Sequence, residues 1–114
     1  MKDSATLGES FGSLGWAYKV EKKYDSTIFY LNKAIAVFKA KRYITFVPVA
    51  YTEIGKAFYE QEKYFEAISN YKEAKKIYDT VNYEPYQDAL YIYFGDAYLK
   101  LEQYKEAETY YQRG

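Results

Sequence analysis

The sequence contains no cysteine and no histidine among its 114 residues. The lack of cysteine excludes disulfide bonds and thiolate chemistry. The lack of histidine excludes histidine-based acid–base catalysis and nearly every catalytic zinc site. We therefore expect no metal ion and no cofactor, and the composition points away from an enzyme.

Neither sign of charge is in excess, because 16 Lys and Arg residues balance 16 Asp and Glu residues. A chain without a basic excess lacks the electrostatic footprint of nucleic-acid binding, so we expect no nucleic-acid partner. No apolar run approaches the ~18 residues of a spanning helix, and no apolar signal-peptide core follows Lys2. We therefore expect a cytoplasmic protein with no membrane partner.

Glycine is sparse, with six residues, but three of the six are evenly spaced. Gly15, Gly55 and Gly95 lie 40 residues apart. A glycine inside a helix costs about 1 kcal/mol relative to alanine, so three at one period indicate a structural reason. We predict that a paired helix approaches closely at each glycine. The small residues predicted to lie opposite are Thr27, Ala67 and Ala107.

Each 40-residue unit carries two runs of apolar residues at helical spacing. In the middle unit the first run includes Ala50, Ile54 and Ala57, and the second begins at Tyr64 after a charged break. Strand-like alternation is not sustained anywhere, so the pattern predicts an all-α chain. The predicted helices span residues 5–21, 24–41, 46–61, 64–80, 85–102 and 104–114, and the predicted loop before the fifth helix spans 80–83.

A single helix pair cannot bury both of its faces, so successive pairs should stack into a solenoid. We predict one repeat domain over residues 1–114. Its repeats span about 8–47 and 48–87, with a partial third repeat over 88–114. Because the third unit ends before its full length, we expect the chain to be a fragment of a longer protein.

The motif aromatic-x2-apolar-Gly-x2-aromatic occurs three times, each time followed by a small-x3-bulky pair. The motif residues are Phe11/Leu14/Gly15/Tyr18, Tyr51/Ile54/Gly55/Phe58 and Tyr91/Phe94/Gly95/Tyr98, and the pairs are Thr27/Leu31, Ala67/Tyr71 and Ala107/Tyr111. This pattern resembles the tetratricopeptide repeat, in a long variant with 40-residue units instead of ~34. The resemblance covers nearly the whole chain. It implies an all-α solenoid of about three antiparallel helix pairs in a right-handed superhelix.

The resemblance also implies a binding surface on the inner, concave face, which the first helix of each pair lines. The partner-binding residues that we predict on this face are Trp16, Lys56, Tyr59, Tyr93 and Asp96. Trp16, Lys56 and Asp96 hold equivalent places in successive units. We therefore expect a ladder in which Lys56 reaches toward Asp96 or over Trp16.

These features predict a non-enzymatic module, a scaffold, adaptor or regulatory domain, that binds another protein or a peptide segment. Tyrosine, with 17 residues, would give its groove an aromatic, mixed-charge surface. The G-x-S-x-G sequence at 8–12 matches a nucleophile elbow, but that elbow requires a preceding strand and a histidine. Ser10 is therefore not predicted to be a nucleophile.

Two alternative functions remain open. The first is a self-associating structural module, a homo-oligomer formed through uncapped repeat ends. Such an end would expose Tyr104, Ala107 and Tyr111. The second is a peptide-sensing domain of a larger bacterial signalling regulator.

Overall fold

The structure, a computed structural model, describes residues 4–40, 46–81 and 84–113. These residues form six α-helices without a strand. The helices are α1 Ser4–Val20, α2 Tyr24–Ala40, α3 Phe46–Glu60, α4 Tyr64–Val81, α5 Glu84–Lys100 and α6 Tyr104–Arg113. The six predicted helices are confirmed to within two residues at each end. The predicted loop is wrong at Thr80 and Val81, which end α4, and its other two residues lie outside the described ranges.

The helices pack in chain order. Within pairs, α1 contacts α2, α3 contacts α4 and α5 contacts α6, while α2 also contacts α3 and α4 also contacts α5. The stack measures 51 × 31 × 17 Å, an elongated slab without a single central core. The predicted all-α solenoid is confirmed.

The hydrophobic core lies mainly between successive pairs. One buried cluster joins α2 to α3 and consists of Leu31, Ala34, Ile35, Phe38, Val47, Ala50 and Ile54. A second joins α4 to α5 and consists of Ala67, Ile68, Tyr71, Ala74, Tyr78, Leu90, Phe94 and Ala97. Since neither cluster is complete without its neighbour, each pair depends on stacking for its stability.

Each pair is closed by a turn whose middle residue is left-handed without being glycine. The φ angles are 59° at Lys22, 61° at Glu62 and 60° at Glu102, residues that are 40 apart. A left-handed conformation costs a residue with a β-carbon roughly 1–2 kcal/mol. All three repeats therefore form the same turn, although its left-handed residue lowers the stability of each by this amount.

Hydrogen bonds in the middle turn show what the left-handed residue achieves. The Glu62 amide donates to the Tyr59 carbonyl oxygen at 2.9 Å, and the Lys63 amide donates to the Phe58 carbonyl oxygen at 2.9 Å. This is the Schellman pattern that satisfies the last carbonyls of a helix. The Lys63 carbonyl in turn accepts from the Ala67 amide at 3.0 Å. Lys63 therefore serves both helices: its amide binds a carbonyl at the end of α3, and its carbonyl accepts the first hydrogen bond of α4.

The periodic glycines lie against bulky side chains of the paired helix. These contacts are Gly15 with Leu31, Gly55 with Tyr71 and Gly95 with Tyr111. A β-carbon on Gly55 would lie 2.5 Å from Cε1 of Tyr71 and 3.0 Å from the Ala67 carbonyl oxygen. The predicted close approach of the paired helix is confirmed. The nearest atoms, however, belong to the bulky residue of each small-x3-bulky pair and not to the small one.

Gly55→Ala should destabilise the protein although alanine is the better helix former. Tyr71 is 1% exposed and Ala67 presents backbone, so neither can move away cheaply. Overpacking costs about 1–3 kcal/mol, and the helix propensity returns about 1 kcal/mol. Because the β-carbon would lie 2.5 Å from a buried ring, the cost should be near the upper end of that range, and we expect urea denaturation to show a net loss of about 2 kcal/mol in the free energy of unfolding.

Gly12→Ala is the matched control, because a β-carbon there meets only the edge of the Phe46 ring, at 3.2 Å. This variant should unfold at the same urea concentration as the wild type or at a higher one. Equal stability of the Gly55→Ala protein would contradict the packing described here.

Glu62→Gly should stabilise the protein. Glycine removes the left-handed cost of roughly 1–2 kcal/mol and adds an unfolded-state cost of roughly 0.5–1 kcal/mol. We expect urea denaturation to show a gain of about 0.5–1 kcal/mol. Glu62→Ala keeps the β-carbon and should bring no gain; equal stabilisation by both variants would attribute the effect to the lost carboxylate.

Candidate functional site

Four of the five predicted partner-binding residues line one cleft between α3 and α5. Helix α3 supplies Lys56 and Tyr59, and α5 supplies Tyr93 and Asp96. The two residues of each helix are three positions apart in the sequence, which places them on the same face of that helix. We call this site the tyrosine cleft. It has a volume of about 150 Å³ and is lined by Lys56, Tyr59, Glu60, Tyr71, Tyr93 and Asp96.

Lys56 crosses from α3 to α5. Its Nζ atom lies 4.8 Å from the centre of the Tyr93 ring and 3.5 Å from the Tyr93 hydroxyl oxygen. The same Nζ atom lies 3.5 Å from Oε1 of Glu53. The predicted contacts of Lys56 in the ladder are therefore wrong. Lys56 contacts Tyr93 and Glu53 and does not contact Asp96 or Trp16.

Glu53 joins the first two helix pairs. Its side chain is only 13% exposed, and its Oε2 atom pairs with Nζ of Lys19 on α1. Together with the contacts of Lys56, this pair forms a line of side chains across α1, α3 and α5. We call this line the inner row; it consists of Lys19, Glu53, Lys56 and Tyr93.

Asp96 accepts a hydrogen bond at Oδ1 from the hydroxyl of Tyr111 on α6. Burial, and then this bond, raises the pKa of Tyr111 to about 12. Burial, followed by the nearby Asp96 carboxylate, raises the pKa of Tyr59. Burial is also the main cause of the raised pKa of Tyr71. These three hydroxyls therefore stay protonated at neutral pH and can donate hydrogen bonds.

Trp16 lies outside the tyrosine cleft. It lines a wider, open slot of about 450 Å³ together with Glu9, Gly12, Ser13 and Phe46. The Trp16 and Phe46 rings lie 6.3 Å apart between centres, which joins α1 to α3. Trp16 is half-buried against the core between α2 and α3, so part of its surface is used in packing.

Several residues of these sites were not among the predicted binding residues, and three of them are aromatic. Tyr71 forms the buried floor of the cleft, Tyr111 holds Asp96, and Phe46 lines the slot. The small-x3-bulky pairs contain the signal for the two tyrosines, because their rings pack on a glycine beside the inner face. Phe46 had no such signal, since it begins α3 outside the repeated motif.

Ser10 lies within a helix and not after a strand. Its Oγ atom donates to the Thr6 carbonyl oxygen at 3.0 Å, one turn earlier in α1. Across 4–40, 46–81 and 84–113, no three acidic side chains gather where they could hold a metal ion. None of the helices in the described part of the chain combines the length and apolarity needed to cross a membrane.

A family model, the tetratricopeptide repeat, matches residues 46–114. The structure is similar to the TPR domain of Arabidopsis FLU, with a TM-score of 0.92 and 17% identity over 97% of this chain and 93% of that chain. It is also similar to aspartyl phosphate phosphatase F from Bacillus subtilis, with a TM-score of 0.91 and 20% identity. That match covers 96% of this chain but only 29% of the phosphatase.

At these identities the two structures show the fold alone. No curated protein sequence matches the chain. Tetratricopeptide repeats are in general non-catalytic, and protein binding is their typical role. Their helix pairs, their periodic glycines and the matched family model agree in this chain. The chain belongs to the tetratricopeptide repeat family.

Proposed function

We propose that the chain binds a segment of another protein across the face formed by α1, α3 and α5. The observation that carries this proposal is the tyrosine cleft, in which α3 and α5 place polar and aromatic side chains around one opening. Solenoid repeats use such extended surfaces for binding. A segment in the cleft would contact two successive helix pairs at once.

The aromatic residues of the cleft have the properties of interface anchors. Tyr59 and Tyr93 are partly exposed, and both side chains line the opening. Tyr59 packs on Tyr64 at 5.3 Å between ring centres, and Tyr93 packs on Tyr71 at 6.1 Å. Because these rings are already packed against neighbouring rings, they lose little side-chain entropy when a partner binds. Tyrosine is also enriched among the interface residues that contribute most to the binding free energy.

The same face offers contacts beyond the cleft. On α5, Ile92, Asp96 and Leu99 share one stripe, and both aliphatic side chains are about half exposed. On α1, Trp16 lines the open slot. A bound segment that reached from the slot to the cleft would follow the inner row across all three pairs.

Self-association is the alternative that one observation favours. Tyr104 is 63% exposed and Tyr111 is 37% exposed on the last helix. Ala107, expected to be exposed with them, is buried against α5, so the apolar surface there is smaller than the sequence suggested. Light scattering of the purified domain distinguishes a dimer from a monomer.

The proposal predicts that cleft residues are required to retain a partner from lysate of the protein's own source. We compare immobilised wild type with a Tyr59→Ala/Tyr93→Ala variant. The variant should retain at least about tenfold less of the partner than the wild type does. Its binding free energy lacks two anchors that each contribute about 1 kcal/mol or more. Quantitative mass spectrometry measures the retained protein, and circular dichroism confirms the fold of both.

A matched control removes two aromatic rings elsewhere. Phe29 of α2 and Phe65 of α4 are 54% and 68% exposed on second helices. The Phe29→Ala/Phe65→Ala variant should retain the partner as the wild type does. Loss in this control with retention in the cleft variant would place the binding surface on the second helices and refute the proposal. Trp16→Ala, tested separately, reports on the slot.

A further inference from the structure

We propose that the tyrosine cleft holds the cationic end of an arginine or lysine side chain from the bound segment. Asp96 would be the counter-ion, and the rings of Tyr59 and Tyr93 would form the walls. This inference rests on the proposed function, because it assigns a chemistry to the segment that the inner face binds.

Among the described residues, the charges around the cleft leave Asp96 without a cation. Glu53 already has two lysine partners, Lys19 and Lys56. Asp96, by contrast, forms no ion pair with any Lys or Arg in the described part of the chain. Its hydrogen-bond donor is the neutral hydroxyl of Tyr111, which contacts Oδ1. A cation that entered the cleft would thus meet an unpaired negative charge.

A second carboxylate adds to this field. Glu60 lines the same cleft from α3 and is exposed at its rim. The one cation of the cleft, Lys56, is shared with Glu53 outside it. The lining therefore carries two carboxylates against one shared ammonium group, which favours a positively charged occupant over a negatively charged one.

The aromatic walls already attract a cation in this structure. The Lys56 ammonium lies over the Tyr93 ring at 4.8 Å from its centre, within the range of a cation–π contact. Tyr59 lines the same opening, and none of the described Lys or Arg side chains lies over its ring. A guanidinium group stacks on such rings through its plane, so arginine should bind more tightly than lysine.

The size of the cleft fits one side chain. Its volume of about 150 Å³ is below the ~300 Å³ at which pockets for drug-sized ligands begin. The buried ring of Tyr71 closes the floor. The end of one long side chain can enter, while the backbone of the segment stays outside along the inner face.

The test uses small probes and does not need the natural partner. We titrate the domain with n-propylguanidinium, n-butylammonium and the neutral n-pentanol, and follow the NMR signals of Tyr59, Tyr93 and Asp96. Both cations should shift these signals, with n-propylguanidinium the tighter, and n-pentanol should not at equal concentration. Absence of cation-induced shifts in the folded wild type would overturn the inference.

Asp96→Asn removes the charge but keeps an oxygen that can accept the Tyr111 hydrogen bond. It should weaken the binding of n-propylguanidinium about threefold to fivefold, as expected for a partly exposed ion pair. Glu66→Gln, which removes an exposed carboxylate of α4 outside the cleft, is the control and should leave the affinity unchanged. An equal loss in both variants would mean that only the general charge of the surface attracts the probe, and would overturn the assignment of Asp96.

Lys56→Met separates a cation site from an anion site. If the cleft takes cations, removal of its own ammonium group should raise the affinity for n-propylguanidinium. If Lys56 instead anchors anions, acetate should shift the cleft signals of the wild type and not those of Lys56→Met. That second result would overturn the inference.

The two proposals fail in different ways. A partner that is retained by wild type and lost from Tyr59→Ala/Tyr93→Ala, without any cation-induced NMR shift, would leave the binding function standing and remove the cationic side chain. Cation-induced shifts together with a partner retained equally by both proteins would confirm a cation site that the partner does not use.

Discussion

Gly55 lets α3 approach α4 so closely that the Tyr71 ring lies where a β-carbon would stand. This contact sets the distance within the pair, and it also positions the site. The ring that covers the glycine reaches past it to the inner face, where it becomes the floor of the tyrosine cleft. In the third pair the Tyr111 ring covers Gly95 in the same way, and its hydroxyl holds the next residue, Asp96. In the second and third pairs this packing thus places a tyrosine beside the inner face, whereas in the first pair the aliphatic side chain of Leu31 covers Gly15.

Contacts between pairs then bring the separate inner faces together. The two apolar clusters supply the burial, and the inner row supplies contacts at defined atoms. Glu53 is well shielded, and the ammonium groups of Lys19 and Lys56 face its carboxylate from two sides, which offsets the cost of burying its charge. Because Lys56 also covers Tyr93, the same side chains that join the pairs shape the opening of the cleft.

Periodicity predicted the fold and the inner-face position of the four predicted residues that line the cleft, but it did not predict Tyr71 on the floor or the separate slot of Trp16. It could not predict contacts of long side chains. The orientation of the Lys56 side chain depends on its contacts with Glu53, one turn earlier, and with Tyr93 in the next pair. The spacing of residues in the sequence does not show which of the available partners a long side chain will contact. The left-handed turn at Glu62 had no sequence signal either, because glycine is absent there. Thr80 and Val81 continue α4 because β-branched residues disfavour a helix only weakly.

The single tryptophan has a consequence for how the protein can be observed. Trp16 lies among 17 tyrosines and contacts Phe46 of the next pair. Its indole is half-buried and lines the open slot, so the wavelength of its emission depends on whether the first two pairs stay together and whether the slot is filled. Energy transferred from nearby tyrosines to this one indole depends on the distances between them. The unlabelled protein thus carries a fluorescent reporter at its first repeat boundary.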